Sequence, residues 1–106
     1  MNNNKVTSFG EYIRQLREAA ELSLRKVAAL LEMDPSLLGK IERNERHPTK
    51  EIISGIAKIF NEDEKKLQKE FISDQIAYKI LDEEADLDTL KLAEQKIEYL
   101  KKHNNG

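Results

Sequence analysis

The fold follows from one stretch of sequence, residues 22–49, which is LSLRKVAALLEMDPSLLGKIERNERHPT. Ser23 is typical of a helix N-cap, and Val27 begins an apolar inner face for the short helix that follows. Asp34 and Pro35 indicate the next helix, because a capping acid precedes a proline at the first helical position. The stretch therefore predicts two short helices joined by a turn of about three residues.

Helices are also predicted on both sides of this pair. Ser8 and Glu11 have the spacing of a capping box, so we expect a first helix from residue 8 to about Leu22. Thr49 is typical of the N-cap of a fourth helix. Apolar residues at helical spacing predict a fifth and a sixth helix, separated by the acidic residues 82–88. The pattern predicts an all-α fold.

Composition narrows the class of protein. The chain has 106 residues and no cysteine, so it is the size of one domain and holds no disulfide or thiolate metal site. No apolar run approaches the ~20 residues that span a bilayer, and the polar start is unlike a secretory signal. We expect a cytoplasmic protein without a membrane segment. The two histidines lie far apart, and no phosphate loop or nucleophile motif is present, so we expect neither an enzyme nor a bound metal or cofactor.

Charge is unevenly distributed along the chain. Residues 1–50 carry 9 Lys or Arg and 7 Asp or Glu, whereas residues 51–106 carry 9 and 13. A weakly basic first half and an acidic second half fit DNA contact by one part and contact with a partner by the other. An acidic solvated tail gives the same asymmetry.

The third helix, starting at Pro35, has one polar face. At about 100° per residue, one arc of the helix holds small residues and long donors, opposite an apolar side. A recognition helix in the major groove needs this combination for close approach and for base contact. The candidates for base reading are Ser36, Gly39, Lys40 and Arg43. Gly39 has two equally good explanations: a side chain there collides with DNA, or the helix simply tolerates a glycine.

Phosphate contacts are expected on both sides of this helix. The candidates are Ser23, Arg25, Lys26, Asn44, Arg46 and Lys50. For any single lysine, a solvated surface charge is an equally good explanation.

The sequence from about Phe9 to Phe60 resembles the Xre-type, lambda-repressor-like DNA-binding domain. The residues that carry the resemblance are Val27-Ala28, Leu38, Ile41-Glu42-Arg43 and Pro48-Thr49. The resemblance implies a five-helix DNA-binding domain and a dimeric, sequence-specific transcription regulator, commonly a repressor. The family includes phage repressors, antitoxins and the controller proteins of restriction-modification systems.

The resemblance also implies a structural ion pair between Arg17 of the first helix and Glu42 of the recognition helix. Two residues depart from the family pattern. Leu24 stands where many members have a glutamine that contacts a phosphate. The candidates to replace that contact are Arg25, Lys26 and the backbone amides at the start of the second helix. Glu32 stands where the turn usually has glycine, so the turn is either strained by about 1–2 kcal/mol or remodelled.

The predicted organisation has four parts: a disordered segment over 1–7, a helix-turn-helix domain over 8–66, a helical extension over 67–102 and a frayed tail over 103–106. The extension is a candidate dimerisation element, because its apolar residues recur at helical spacing. The candidates for that interface are Ile76, Ile80, Leu90, Ala93, Ile97 and Leu100. The alternative is that these residues pack within their own monomer and form no dimer interface.

The function predicted from the sequence is sequence-specific binding of double-stranded DNA by a homodimeric transcriptional regulator. A repressor or a restriction-modification controller-like protein fits best. The alternative is an antitoxin-type module that binds a second protein through its acidic C-terminal part.

Overall fold

A computed structural model describes residues 6–104, which form six α-helices and no strand. The helices are α1 (Phe9–Ala19), α2 (Leu24–Leu30), α3 (Pro35–Glu42), α4 (Lys50–Phe60), α5 (Glu64–Asp82) and α6 (Leu87–His103). Most of the predicted disordered segment 1–7 lies outside the described residues, as do the last two residues of the predicted tail.

The first four helices begin where their caps predict. In each case a side-chain oxygen of the cap accepts a hydrogen bond from a backbone N–H two or three residues later, which satisfies one of the free amides of the first turn. The four caps are Ser8, Ser23, Asp34 and Thr49.

The end of α1 differs from the prediction. The helix stops at Ala19 instead of continuing to Leu22. Glu21 adopts a left-handed conformation with φ of 57°, and the N–H of Leu22 bonds the carbonyl of Arg17 at 3.1 Å. The prediction from helical periodicity was too long, because Leu22 still faces the protein after the chain has left the helix.

The turns of this protein place side chains where glycine is common. The left-handed residues are Glu21, Glu32, Asn44, Asn61 and Glu84, and no glycine of the described residues has a positive φ. Asn44 lies just after the C-cap of α3, and Asn61 is the C-cap of α4. Glu32 adopts φ of 56°, so the turn before α3 has the left-handed conformation that glycine normally provides.

Two groups of buried residues fix the position of α3. The larger group of buried residues is Phe9, Ile13, Ile41, Ile53, Ile56, Ala57 and Leu67. A smaller group, Val27, Ala28 and Leu38, joins α2 to α3. Because Leu38 and Ile41 belong to different groups, α3 is held from two sides.

The compact unit that contains this core extends to Asp74, past the predicted boundary at residue 66. Leu67 is fully buried, and the ring of Phe71 lies edge-on to that of Phe9 at 5.4 Å between centroids. A carboxylate oxygen of Asp74 accepts a hydrogen bond from the backbone N–H of Phe9 at 2.7 Å. The first half of α5 therefore belongs to the same compact unit as the first four helices, because these contacts join it to the start of α1.

The second unit begins at Gln75 and contains the end of α5 and all of α6. Asp86 caps α6, and the helix continues through His103, where fraying was predicted. None of the residues of α6 is buried. The helices of the described residues are all too short or too polar to cross a membrane.

Candidate nucleic-acid interface

The inner side of α3 is anchored to its neighbours. Leu38 is completely buried beside α2, and Ile41 is 1% exposed in the larger core group. Ala28 of α2 is also completely buried, so its small side chain lets the two helices pack closely. This packing leaves the opposite side of α3 at the surface.

Three of the four base-reading candidates lie on that surface. Ser36, Lys40 and Arg43 are all exposed. Ser36 follows the N-cap closely, and its hydroxyl donates to the Asp34 carboxylate at 2.9 Å. The backbone N–H of Ser36 also donates to Asp34, and this bond lowers the pKa of that carboxyl. One polar arc of α3 therefore offers a hydroxyl, an ammonium and a guanidinium to solvent.

Gly39 does not lie open on this arc, contrary to its predicted position. It is buried, and an ideal Cβ at this position lies 3.2 Å from Nη1 of Arg43 and 3.4 Å from Cδ2 of Leu24. The helical wheel gives the direction of a Cα–Cβ bond but not the path of neighbouring long side chains. The absence of a side chain at Gly39 therefore makes room for Arg43 and Leu24 within the protein.

Arg43 is paired with Glu45. Its Nε lies 3.0 Å from Oε2 of Glu45, and Nη2 lies 3.4 Å from Oε1. This hydrogen bond is the main reason that the pKa of Arg43 is raised and that of Glu45 is lowered. Lys40 also lowers the pKa of Glu45 through its charge. Both partners are more than half exposed, so the pair contributes little to folding.

Arg17 and Glu42 form a buried ion pair, the one that the family resemblance implies. Arg17 Nε donates to Oε2 at 2.8 Å and Nη2 donates to Oε1 at 3.0 Å, while Nη1 donates to the carbonyl of Leu22 at 3.0 Å. The side chains are 15% and 6% exposed. The bond to Glu42 is the main cause of the raised pKa of Arg17. The pair fixes the C-terminal end of α3 against α1.

Most of the phosphate-contact candidates are exposed near the two ends of the helix pair. Ser23, Arg25 and Lys26 lie at the start of α2, where the Ser23 hydroxyl accepts from the backbone N–H of Lys26 at 3.0 Å. Arg46 and Lys50 lie after α3 and are exposed as well. Their charges are available to a polyanion.

Asn44 is the exception among these candidates, because its amide is occupied within the protein. Oδ1 accepts from the backbone N–H of Gly10 at 3.1 Å, and Nδ2 donates to the Ser8 hydroxyl at 2.9 Å. The side chain thereby joins the end of α3 to the start of α1. Its left-handed backbone and its two bonds together give Asn44 a structural role.

Leu24 has a role in packing. It is half-buried against the α2–α3 group, and its Cδ2 lies 3.4 Å from the place of an ideal Cβ at Gly39. The family glutamine at this position contacts a phosphate, whereas an apolar side chain offers no donor. Arg25 and the backbone amides at the start of α2 remain as the donors nearest to it in the sequence.

Two residues of the site were not identified from the sequence. Glu45 lies two residues after Arg43, a spacing that is common in loops and carries no signal of its own. Gly10 lies where α1 crosses the end of α3, and a side chain at this position would collide with the backbone of α3. The need for glycine follows from this contact between two helices and not from the local sequence. Among residues 6–104, no group of three or more His, Cys, Asp or Glu side chains is arranged so that it could hold a metal ion.

Comparisons with known proteins agree with this geometry. The helix-turn-helix family model HTH_3 matches residues 13–67. The restriction-modification controller protein C.AhdI from Aeromonas hydrophila is 32% identical, with a TM-score of 0.52, over 56% of this chain and 89% of its own.

The clp gene regulator ClgR from Corynebacterium glutamicum has a TM-score of 0.54 at 18% identity and covers 83% of this chain and 88% of its own, which shows a shared fold. A comparison with curated proteins gave no match.

The exposed arc of α3, the helix pair that carries it and these similarities support one assignment. The chain is a DNA-binding transcriptional regulator, and it belongs to the helix-turn-helix family HTH_3, whose model matches half of its length.

Proposed function

We propose that the protein binds a specific sequence in double-stranded DNA as a homodimer, with α3 in the major groove. The observation that carries this proposal is the exposed arc formed by Ser36, Lys40 and the C-cap residue Arg43. The opposite side of the helix is anchored by the buried Leu38 and Ile41. A hydroxyl and two long cationic donors match the acceptors that guanine and adenine present in that groove.

Phosphate contacts on either side of α3 set its orientation. Arg25 and Lys26 at the start of α2 and Arg46 and Lys50 after α3 are exposed cations at both ends of the reading surface. Such contacts contribute affinity without sequence information, whereas the arc of α3 supplies specificity.

A second copy of the chain is the partner that the C-terminal unit fits best. Large apolar side chains of α6 are exposed, and such residues in a soluble protein mark an interaction surface. They are Leu87, Leu90, Leu92, Ile97, Tyr99 and Leu100, which are 42–70% exposed. Ile76, Ile80 and Ala93 complete the predicted interface. A dimer places two recognition helices ~34 Å apart on one face of the DNA, which doubles the length of sequence read.

Regulation by such a dimer acts through occupancy and not through catalysis. The bound protein blocks or recruits polymerase according to the position of its site. The likeness to a restriction-modification controller supports a controller or repressor of this kind. We expect it to act in the cytoplasm.

Selection from random duplexes tests the proposal. Purified protein should enrich one sequence with two related half-sites about one helical turn apart. The control is Leu38→Ala, which removes a buried anchor of α3 without changing an exposed residue. Protein that binds every duplex equally at low ionic strength contradicts the proposed function.

Sedimentation tests the dimer separately. The wild type should sediment as a dimer, and Ile97→Glu should shift it toward a monomer, because Ile97 is half exposed and its replacement needs no burial in the monomer. A monomer at all accessible concentrations, with and without DNA, contradicts the dimer and leaves DNA binding by α3 intact.

A further inference from the structure

We propose that Glu45 is a specificity-determining residue of the DNA interface, which positions Arg43 for a base and withholds it from phosphates. The inference rests on the proposed DNA-binding function. It follows from the ion pair between Glu45 and Arg43 on the exposed side of α3.

The backbone of Glu45 is fixed to the recognition helix. Its N–H donates to the carbonyl of Lys40 at 2.8 Å, in the geometry of a helix that ends with a left-handed residue. That left-handed residue, Asn44, is itself held by Ser8 and Gly10 of the α1 region. The carboxylate of Glu45 therefore starts from a defined position beside the last turn of α3.

The carboxylate occupies one edge of the guanidinium and leaves the other free. Glu45 accepts from Nε and Nη2 of Arg43, at 3.0 and 3.4 Å. No side chain of the described residues accepts a hydrogen bond from Nη1, which lies 3.2 Å from the place of an ideal Cβ at the buried Gly39. The Nη1 and Nη2 edge can then donate two hydrogen bonds to a guanine while Glu45 holds the Nε edge.

The same carboxylate changes how Arg43 meets DNA of arbitrary sequence. The Arg43–Glu45 pair as a whole carries no net charge, so it releases few counterions when it approaches a phosphate. If Arg43 leaves Glu45 for a phosphate, the carboxylate is left unpaired beside a polyanion. Glu45 therefore disfavours contacts of Arg43 with phosphates and leaves Arg43 available for a contact with a base.

Glu45→Gln keeps the size of the side chain and removes its charge. With the duplex enriched by the wild type and a scrambled duplex of equal length, the ratio of the two Kd values should fall roughly tenfold, the scale of one bidentate arginine–base contact. On the scrambled duplex, the slope of log K against log salt should steepen by about one, because Arg43 gains a phosphate. Glu94→Gln, the same change on α6, should alter neither quantity.

A double-mutant cycle separates positioning from simple charge repulsion. In an Arg43→Ala background, Glu45→Gln should change neither the ratio nor the salt slope. Circular dichroism should show all these variants folded, since the ion pair is exposed. An unchanged Kd ratio in Glu45→Gln, or an equal effect in the Arg43→Ala background, overturns the inference. If the wild type enriches no sequence at all, the proposed function fails first and this inference fails with it.

Discussion

Substitution of Gly10 by alanine tests the close crossing of α1 and α3. Gly10 is buried in the first turn of α1. An ideal Cβ there lies 2.6 Å from the carbonyl oxygen of Ile41 and 2.7 Å from Oδ1 of Asn44, and closer still to the carbonyl oxygen of Glu42. Two of these atoms belong to the backbone of the recognition helix, which cannot move without displacing that helix.

The expected effect is a net loss of stability. Alanine in place of a helical glycine normally stabilises by about 1 kcal/mol. Overpacking against atoms that cannot relax costs about 3 kcal/mol, the upper part of the usual range. The free energy of unfolding should therefore fall by about 2 kcal/mol, and Tm by roughly 10 °C.

Gly55→Ala is the matched control. It makes the same substitution in α4, where an ideal Cβ lies 2.6 Å from Cδ2 of Leu31, the end of a flexible, half-buried side chain. Rotation of Leu31 relieves that contact, so we expect a change within about 1 kcal/mol of wild type. Urea unfolding followed by circular dichroism measures both variants. A Gly10→Ala protein as stable as wild type, or two variants equally destabilised, refutes the crossing geometry.

Four further predictions concern the reading surface, one turn and one tyrosine. Lys40→Ala should flatten the base preference obtained by selection from random duplexes, because its ammonium is exposed on the reading arc; an unchanged profile shows that Lys40 does not read bases. Arg25→Ala should weaken binding to all duplexes alike and reduce the salt slope by about one unit, measured by titration at several salt concentrations. A selective loss on one sequence contradicts its role as a phosphate contact. Glu32→Gly should raise the free energy of unfolding by up to about 1 kcal/mol in urea, because it relieves a φ of 56°; a loss of stability shows that the glutamate makes a compensating contact. Burial, and to a lesser extent a hydrogen bond to Glu62, raises the pKa of Tyr12 to about 12. The contribution of the protonated Tyr12 to the stability of the fold is therefore complete below pH 10 and is lost as pH rises through 12. Tyr12→Phe should flatten the alkaline fall in helicity over this range, and an identical pH profile contradicts that assignment.

The sequence predicted local structure well because the caps are local. Ser23, Asp34 and Thr49 each satisfy an amide only two or three residues away, so the start of a helix is encoded within one turn. The inner face of α3 was equally accessible, since Leu38 and Ile41 follow helical spacing. The three exposed reading candidates follow from the same periodicity.

Contacts between residues that are far apart in the sequence could not be predicted from these local patterns. The burial of Gly39 depends on the path that Arg43 takes over it. The side-chain amide of Asn44 bonds to Gly10 of α1 and to its N-cap Ser8, both more than thirty positions earlier in the chain. How much of α5 belongs to the first unit depends on the contact between the rings of Phe71 and Phe9. These two residues lie near opposite ends of that unit in the sequence.

The carboxylate of Asp74 at the first amide of α1 has a practical consequence for anyone who shortens the protein. A fragment cut after residue 66 loses Leu67 from the core and leaves the N–H of Phe9 without its acceptor. The start of α1 is also where Asn44 holds the end of the recognition helix. The smallest fragment that keeps these contacts therefore extends to Asp74, and we expect a shorter one to loosen the proposed reading surface although the cut lies far from it in the sequence.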